Sequence, residues 1–212
     1  MVAANPNTPM GLQPYQRRGS ASYRANTHMY YVAAADSNAI YVGDPVKRVA
    51  TPASANGIPT VTLASAGTSA LITGVVVGFV GVGPATQNSP QGNFWGAAGT
   101  PGPMYKAASA ANGYFIMVDD DPGTLYIIQA NATQLATSVG KNANLVSGTG
   151  SAYTGLSGWQ MAATTAGTQS TKQLAIVDIL QEADNTVGAG RLYSKFIVRI
   201  NQSTEGLATT GI

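Results

Sequence analysis

The stretch YFIMVDDDPGTLYIIQA, residues Tyr114–Ala130, decides the fold class that this sequence predicts. Two apolar runs, rich in β-branched and aromatic residues, flank the polar segment Asp119–Gly123. Proline fixes its own φ angle and glycine relaxes the backbone, so neither run continues through this segment and the chain reverses there. β-Branched and aromatic side chains suit the pleated surface of a sheet. The pattern predicts a β-hairpin with the three aspartates at its tip.

Charged residues are unusually scarce in this chain. Of 212 residues, 44% are hydrophobic but only 9% are charged, whereas about 25% is typical of globular proteins. Two explanations stay open at this point. Other subunits cover much of the surface, since the cores of interfaces are depleted in charge, or the surface is neutral and coated with serine and threonine.

The charge balance and the cysteine count exclude several classes of function. A net charge of +2, with the basic residues scattered, argues against direct binding to nucleic acid. The lack of cysteine excludes disulfide scaffolds, zinc ribbons and thiol nucleophiles. The polar start of the sequence does not predict a signal peptide. The apolar run Leu71–Val82 has 12 residues, fewer than the ~20 that span a bilayer, so we interpret it as a buried strand and expect no membrane association.

The N-terminal segment, Met1–Thr27, is expected to be an extended arm. Its three prolines disfavour helix and restrict any strand to the edge of a sheet, so the arm is expected to lie against something else, with disorder as the alternative. Arginine is enriched at interfaces and pairs with carboxylates. The basic cluster of the arm therefore either docks on an acidic partner or is a solvated tail. The candidate contact residues of the arm are Tyr15, Arg17, Arg18 and Arg24.

The rest of the chain is expected to form one β-rich domain, residues 28–201, followed by a polar tail, residues 202–212. Nine or ten short strand signals occur, including a second predicted hairpin between Ile58–Leu63 and Leu71–Val80, and one helical turn is expected within Asn131–Leu145. Residues 81–111 are rich in glycine and proline and predict a long surface loop. In that loop Phe94 and Trp95 anchor either to the body or to a neighbouring subunit. The predicted class is all-β, either a β-barrel or a jelly-roll-like body.

A search of the sequence for chemistry finds no catalytic set, metal site or cofactor motif. The chain has one histidine, His28, and no Gly-x-Ser-x-Gly motif, which argues against a serine hydrolase. The triplet Asp119–Asp121 either binds a hard cation such as Ca²⁺ or, as we favour, forms a solvated turn whose aspartates cap backbone N–H groups. We therefore predict a protein that is not an enzyme.

The order of several short segments resembles small virion structural proteins of tailed bacteriophages, in particular capsid cement or decoration proteins. The segments that carry the resemblance include Asn5–Leu12, Val42–Val46, Ile72–Phe79, Val139–Ala143, Ser157–Gln160 and Gly188–Ile200.

The resemblance implies a β-barrel or jelly-roll body on the outer surface of an icosahedral head, where it bridges copies of the major capsid protein. We also expect self-association as a homo-oligomer. An arm that becomes ordered on binding and avidity across several capsomers suit this role. One alternative is a tail-associated or receptor-binding β module, and another is a polysaccharide hydrolase on a β scaffold, which would need facing carboxylates.

Overall fold

The computed structural model describes residues 5–19, 26–50, 57–82, 104–163 and 166–205. Within these ranges the chain forms 14 β-strands and one short 3-10 helix, Ala136–Ser138, and no α-helix. The predicted all-β class is therefore confirmed, and the 3-10 helix is the helical turn expected after Asn131. No helix in the described ranges is long and apolar enough to cross a membrane.

Two five-stranded sheets form most of the body, and all their strand pairs are antiparallel. Sheet I contains, in spatial order, β1 (Gln13–Arg17), β9 (Thr124–Gln129), β14 (Lys195–Ile200), β13 (Leu174–Ile179) and β10 (Asn142–Ala143). Sheet II contains, in spatial order, β2 (Thr27–Val32), β8 (Tyr114–Asp119), β6 (Gly74–Val82), β4 (Pro45–Arg48) and β5 (Val61–Leu63). Two small ribbons consist of β3 (Ile40–Tyr41) with β7 (Tyr105–Lys106), and of β11 (Leu145–Val146) with β12 (Gln160–Met161).

The central prediction, a hairpin over Tyr114–Ala130, is wrong. Both strands form where they were expected, but β8 lies in sheet II between β2 and β6, whereas β9 lies in sheet I between β1 and β14. Each strand buries residues on both of its faces, and each has a hydrogen-bonded neighbour on either side within its own sheet. The turn between them therefore carries the chain from one sheet to the other.

Two further sequence interpretations need correction. The predicted hairpin between Ile58–Leu63 and Leu71–Val80 does not form, because β4 lies between β5 and β6 in sheet II. In the sequence of β14, Phe196, Val198 and Ile200 alternate with Lys195, Ile197 and Arg199, and this pattern predicts one buried and one mostly wet face. Ile197, on the second face, is only 9% exposed, because it packs against Leu125 and Leu180 on the outer side of sheet I.

The apolar core has two main parts. The larger contains Tyr126, Phe196 and Trp159 and lies against sheet I, and the smaller contains Tyr30 and Ile116 and lies against sheet II. Sheet II curls until its edge strands meet at one parallel bridge, between Tyr31 and Thr60. Both sheets nevertheless stay open, so the body does not close into the single barrel that was one of the two expected architectures.

The described part of the predicted arm, residues 5–19, folds onto its own body. β1 forms an edge of sheet I and pairs with β9, with a bulge between Pro14 and Gln16, as expected for a proline-bearing strand. Leu12 has no exposed surface and belongs to the larger core cluster. The Asn5 side-chain amide donates hydrogen bonds to the carbonyls of Thr186 and Leu192, both at 2.8 Å. The arm is extended as predicted, but it is a structural part of the domain.

Two other predicted segments are described only in part. Residues 83–103 of the surface loop and residues 206–212 of the tail lie outside the described residues. The described ends of both segments are packed: Tyr105 and Lys106 form β7, and Ser203 forms a bridge with Ile72. The Lys106 ammonium group is fully buried and donates to the carbonyls of Asp36 and Asn38 at 2.8 and 3.0 Å, which fastens the loop before β3.

The burial of Leu12 makes the integration of the N-terminal segment testable. Leu12→Ala is expected to lower the free energy of unfolding by about 2–5 kcal/mol, because the substitution leaves a cavity in the core. Tyr15→Ala, three residues away on the exposed side of the segment, is the matched control and should change stability by no more than about 0.5 kcal/mol. Urea unfolding measures both variants. Equal stability of Leu12→Ala and the unsubstituted protein would mean that the segment is a separate arm.

Candidate functional site

The structure brings three of the six predicted contact residues together at one edge of sheet I. Tyr15 lies on β1 with 42% of its surface exposed, Arg17 ends the same strand, and Arg18 follows it with an exposed side chain. Arg24, Phe94 and Trp95 lie outside the described residues. We call the patch formed by Tyr15, Arg17 and Arg18 the β1 edge.

One arginine of the β1 edge already has an intramolecular partner. The Arg17 guanidinium lies 2.8 Å from Oδ2 of Asp121, a charge contact without hydrogen-bond alignment. The carboxylate side chain is only 7% exposed, and its Oδ1 accepts a hydrogen bond from the Gly123 amide at 2.8 Å. Arg17 therefore helps to fix β1 to the turn between the sheets. The Arg18 side chain, in contrast, is exposed to solvent.

A cleft lined mainly by apolar groups lies beside the β1 edge. Its volume is about 430 Å³, and it separates β1 from the outer side of sheet II. Gln13 and Pro14 line it from β1, and Val77 and Met117 line it from β6 and β8. An apolar side chain of a partner protein would lose its contact with water there.

The acidic triplet caps backbone groups as predicted, but the prediction that it is solvated is wrong. Asp119 has no exposed surface, and its Oδ1 accepts hydrogen bonds from the Asp121 amide at 3.2 Å and the Thr124 hydroxyl at 3.1 Å. Asp120 accepts a hydrogen bond from the Tyr30 hydroxyl on β2. The three carboxylates thus serve different partners, and the described residues contain no cluster of three or more His, Cys, Asp or Glu able to hold a metal ion.

No pattern in the sequence predicts the contacts of Asp120. Its Oδ1 lies 2.8 Å from Nδ1 of His28, and its Oδ2 accepts a hydrogen bond from the Tyr30 hydroxyl at 2.7 Å. Arg48 donates to the same hydroxyl at 3.1 Å and reaches Glu205 at 3.2 Å. Burial is the main reason why the pKa of Tyr30 rises to about 12. The group forms a network between β2, β4 and the turn, with its polar atoms directed at one another.

Gly11, Gly43 and Ser157 lie in close contact, and we call this place the glycine junction. Each of the three residues belongs to one of the short segments that carry the resemblance. Both glycines have positive φ angles, +70° and +92°. A Cβ atom on Gly11 would collide with the Gly43 carbonyl and with the Ser157 side chain. The Leu12 amide donates to the Gly43 carbonyl at 2.9 Å. These motifs therefore fix the path of the N-terminal segment across the body.

Asp44 is a buried carboxylate at this junction. Its Oδ2 accepts a hydrogen bond from the Tyr41 amide at 2.8 Å, whereas Oδ1 has no hydrogen-bond partner within the described part of the chain. Burial raises the pKa of Asp44 from 3.8 to about 6, against the opposing effect of hydrogen bonds from the Ser157 hydroxyl and the Tyr41 amide. The folded protein therefore keeps this proton up to a higher pH than the unfolded chain does.

The raised pKa of Asp44 predicts how stability depends on pH. Between about pH 4 and pH 6 the unfolded chain releases this proton and the folded chain keeps it, so the free energy of unfolding falls as pH rises, by about 3 kcal/mol in total. Below and above this window both states carry the same charge at Asp44, so its contribution is constant. Urea unfolding at a series of pH values should show this slope in the unsubstituted protein and its loss in Asp44→Asn. Identical slopes would contradict the assignment.

A third feature is a group of three exposed side chains, which we call the exposed apolar end. It contains Met104, Tyr153 and Leu156. Tyr153 is 92% exposed, Met104 is 52% exposed and Leu156 is 36% exposed. The backbone of the loop is nevertheless fixed, because the Ser151 amide donates to the Leu156 carbonyl at 2.9 Å and the Gly155 amide donates to the Ser151 carbonyl at 2.8 Å. The sequence of this segment is rich in glycine and hydroxyl residues, and no pattern in it predicts that Tyr153 is exposed.

Comparisons with protein-family models, with curated protein sequences and with solved structures gave no match. The fold therefore defines an all-β protein of two open sheets, and the interpretation of its surface depends on the geometry described above.

Proposed function

We propose that this chain is a virion structural protein, a capsid cement or decoration protein that binds the outside of an icosahedral head and bridges copies of the major capsid protein. The observation that carries the proposal is the β1 edge, where an exposed tyrosine and an exposed arginine lie on one fixed strand beside an apolar cleft. Tyrosine and arginine are the residue types, with tryptophan, that most often dominate binding energy at interfaces. The resemblance of the short segments and the low charge support the same role.

The way in which the N-terminal segment acts differs from the first expectation. An arm that becomes ordered only on binding loses conformational entropy at that moment. Residues 5–19 are already held in place, because β1 pairs with β9, the Asn5 amide donates to the Thr186 carbonyl and Leu12 is buried in the core. Binding by a preorganised edge avoids much of that cost. Each subunit then contributes a rigid contact surface, and stabilisation of the shell comes from many such contacts and from self-association on the head.

The β1 edge is tested by adding purified protein to heads that lack it and measuring occupancy after sedimentation. The double variant Tyr15→Ala/Arg18→Ala is expected to bind about 10- to 30-fold more weakly, because truncation of hot-spot residues costs about 2 kcal/mol. Leu135→Ala removes another exposed apolar side chain, 46% exposed on a different surface, and is the control expected to bind normally. Full occupancy by the double variant would rule out the β1 edge as the contact surface.

The alternative function is a tail-associated or receptor-binding β module of a virion. Its specific support is the exposed apolar end at Tyr153, since a solvent-facing aromatic on a fixed loop is typical of recognition surfaces. Copy number separates the two functions. Quantitative mass spectrometry of purified particles is expected to give hundreds of copies for a cement protein, and tens or fewer for a tail component.

A further inference from the structure

A cavity lies between the N-terminal segment and the loop that carries Tyr153. Its volume is about 430 Å³, and it is partly open to solvent. Five of the residues that line it bear hydroxyl groups: Thr8, Thr149, Ser151, Thr154 and Ser157. The remaining lining includes Pro9, Met10 and Leu156, which supply apolar surface. Binding pockets for small molecules typically combine such an apolar wall with a few convergent polar groups.

The chemistry of the lining indicates the kind of ligand. A hydroxyl group donates one hydrogen bond and accepts two, so a few hydroxyls in a mainly apolar lining match a ligand whose C–H surface carries hydroxyl groups. None of the described residues that line the cavity is charged. Phosphates, carboxylates and acidic sugars would lack a cation to pair with there. The lining therefore suits a neutral ligand rich in hydroxyl groups.

The loop around the cavity is held in place before any ligand arrives. The Thr154 amide donates to the Ser151 hydroxyl oxygen at 3.3 Å, and the Ser157 amide donates to the Val42 carbonyl at 2.8 Å. Between the lining residues Ser151 and Thr154 the loop presents Tyr153, which is 92% exposed. An aromatic ring offers a flat apolar face together with a polar hydroxyl. Such a ring stacks on the face of a sugar ring that carries its C–H groups.

We propose that the cavity and Tyr153 form a binding site for a neutral saccharide, with the ring of Tyr153 stacked on the sugar and the hydroxyls of Thr8, Thr149 and Ser151 as hydrogen-bond partners. A chain lodged in the cavity would meet the N-terminal segment on one wall and the loop on the other. The fixed loop lowers the entropy cost of binding. This site is distinct from the β1 edge, and its occupation does not depend on the role proposed for the protein in the capsid.

The test uses the full chain, titrated with maltotriose, cellotriose, chitotriose and mannotriose at millimolar concentrations. Binding is measured by calorimetry and by amide chemical-shift changes in ¹⁵N-labelled protein. At least one trisaccharide is expected to bind saturably and to shift the amides of residues 149–158. Tyr153→Ala should weaken that binding about tenfold, whereas Tyr153→Phe, which keeps the ring, should stay within about twofold.

Tyr15→Ala is the matched control for the loss of an exposed tyrosine, and its saccharide affinity should be unchanged. Tyr153 is almost fully exposed, so its variants should unfold at the same temperature as the parent. The proposal is overturned if none of the four trisaccharides binds, or if one binds equally well to Tyr153→Ala. A Tyr153→Ala variant that loses binding to heads while no saccharide binds would assign this surface to a protein partner instead.

Discussion

The structure depends on the turn at residues 120–123, which moves the chain from sheet II to sheet I. β8 has its hydrogen-bonded neighbours, β2 and β6, in sheet II, whereas β9 has its neighbours, β1 and β14, in sheet I, so the two strands do not pair with each other. The turn is stabilised from within by Asp119, which accepts hydrogen bonds across it, and from outside by Arg17. An ionised carboxylate is costly to bury unless it is paired and hydrogen-bonded. Here the local backbone and an arginine from β1 supply those partners.

The N-terminal segment completes sheet I and joins distant parts of the chain. β1 pairs with β9, Leu12 fills the main core, and Gly11 crosses Gly43 at a distance that no Cβ atom would permit. Asn5 continues the same path toward the loop before β14. The two features that distinguish the surface, the β1 edge and the cavity near Tyr153, both lie along this segment. A change in its path would therefore alter both candidate sites together.

The sequence predicted the strands far better than their partners. Residue types and turn signals located β5, β6, β8 and β9, because local propensity and burial act within a few residues. Pairing depends on contacts across the whole chain, so a turn rich in Asp, Pro and Gly predicted a hairpin where the structure has a change of sheet. For the same reason, the local sequence did not predict the contact of His28 with Asp120, which is 92 positions away. Tyr153 was missed because only the folded loop reveals that its ring is exposed.

Under the proposed function, this chain is a rigid adhesive body that acts through its surface and not through a reaction centre. The measurement that tests this most directly is a density map of intact particles at a resolution that traces strands. The account predicts two open five-stranded sheets on the outer surface of the head, with β1 facing the major capsid protein. Density for this chain at the tail alone, or on the head with β1 turned to solvent, would contradict it.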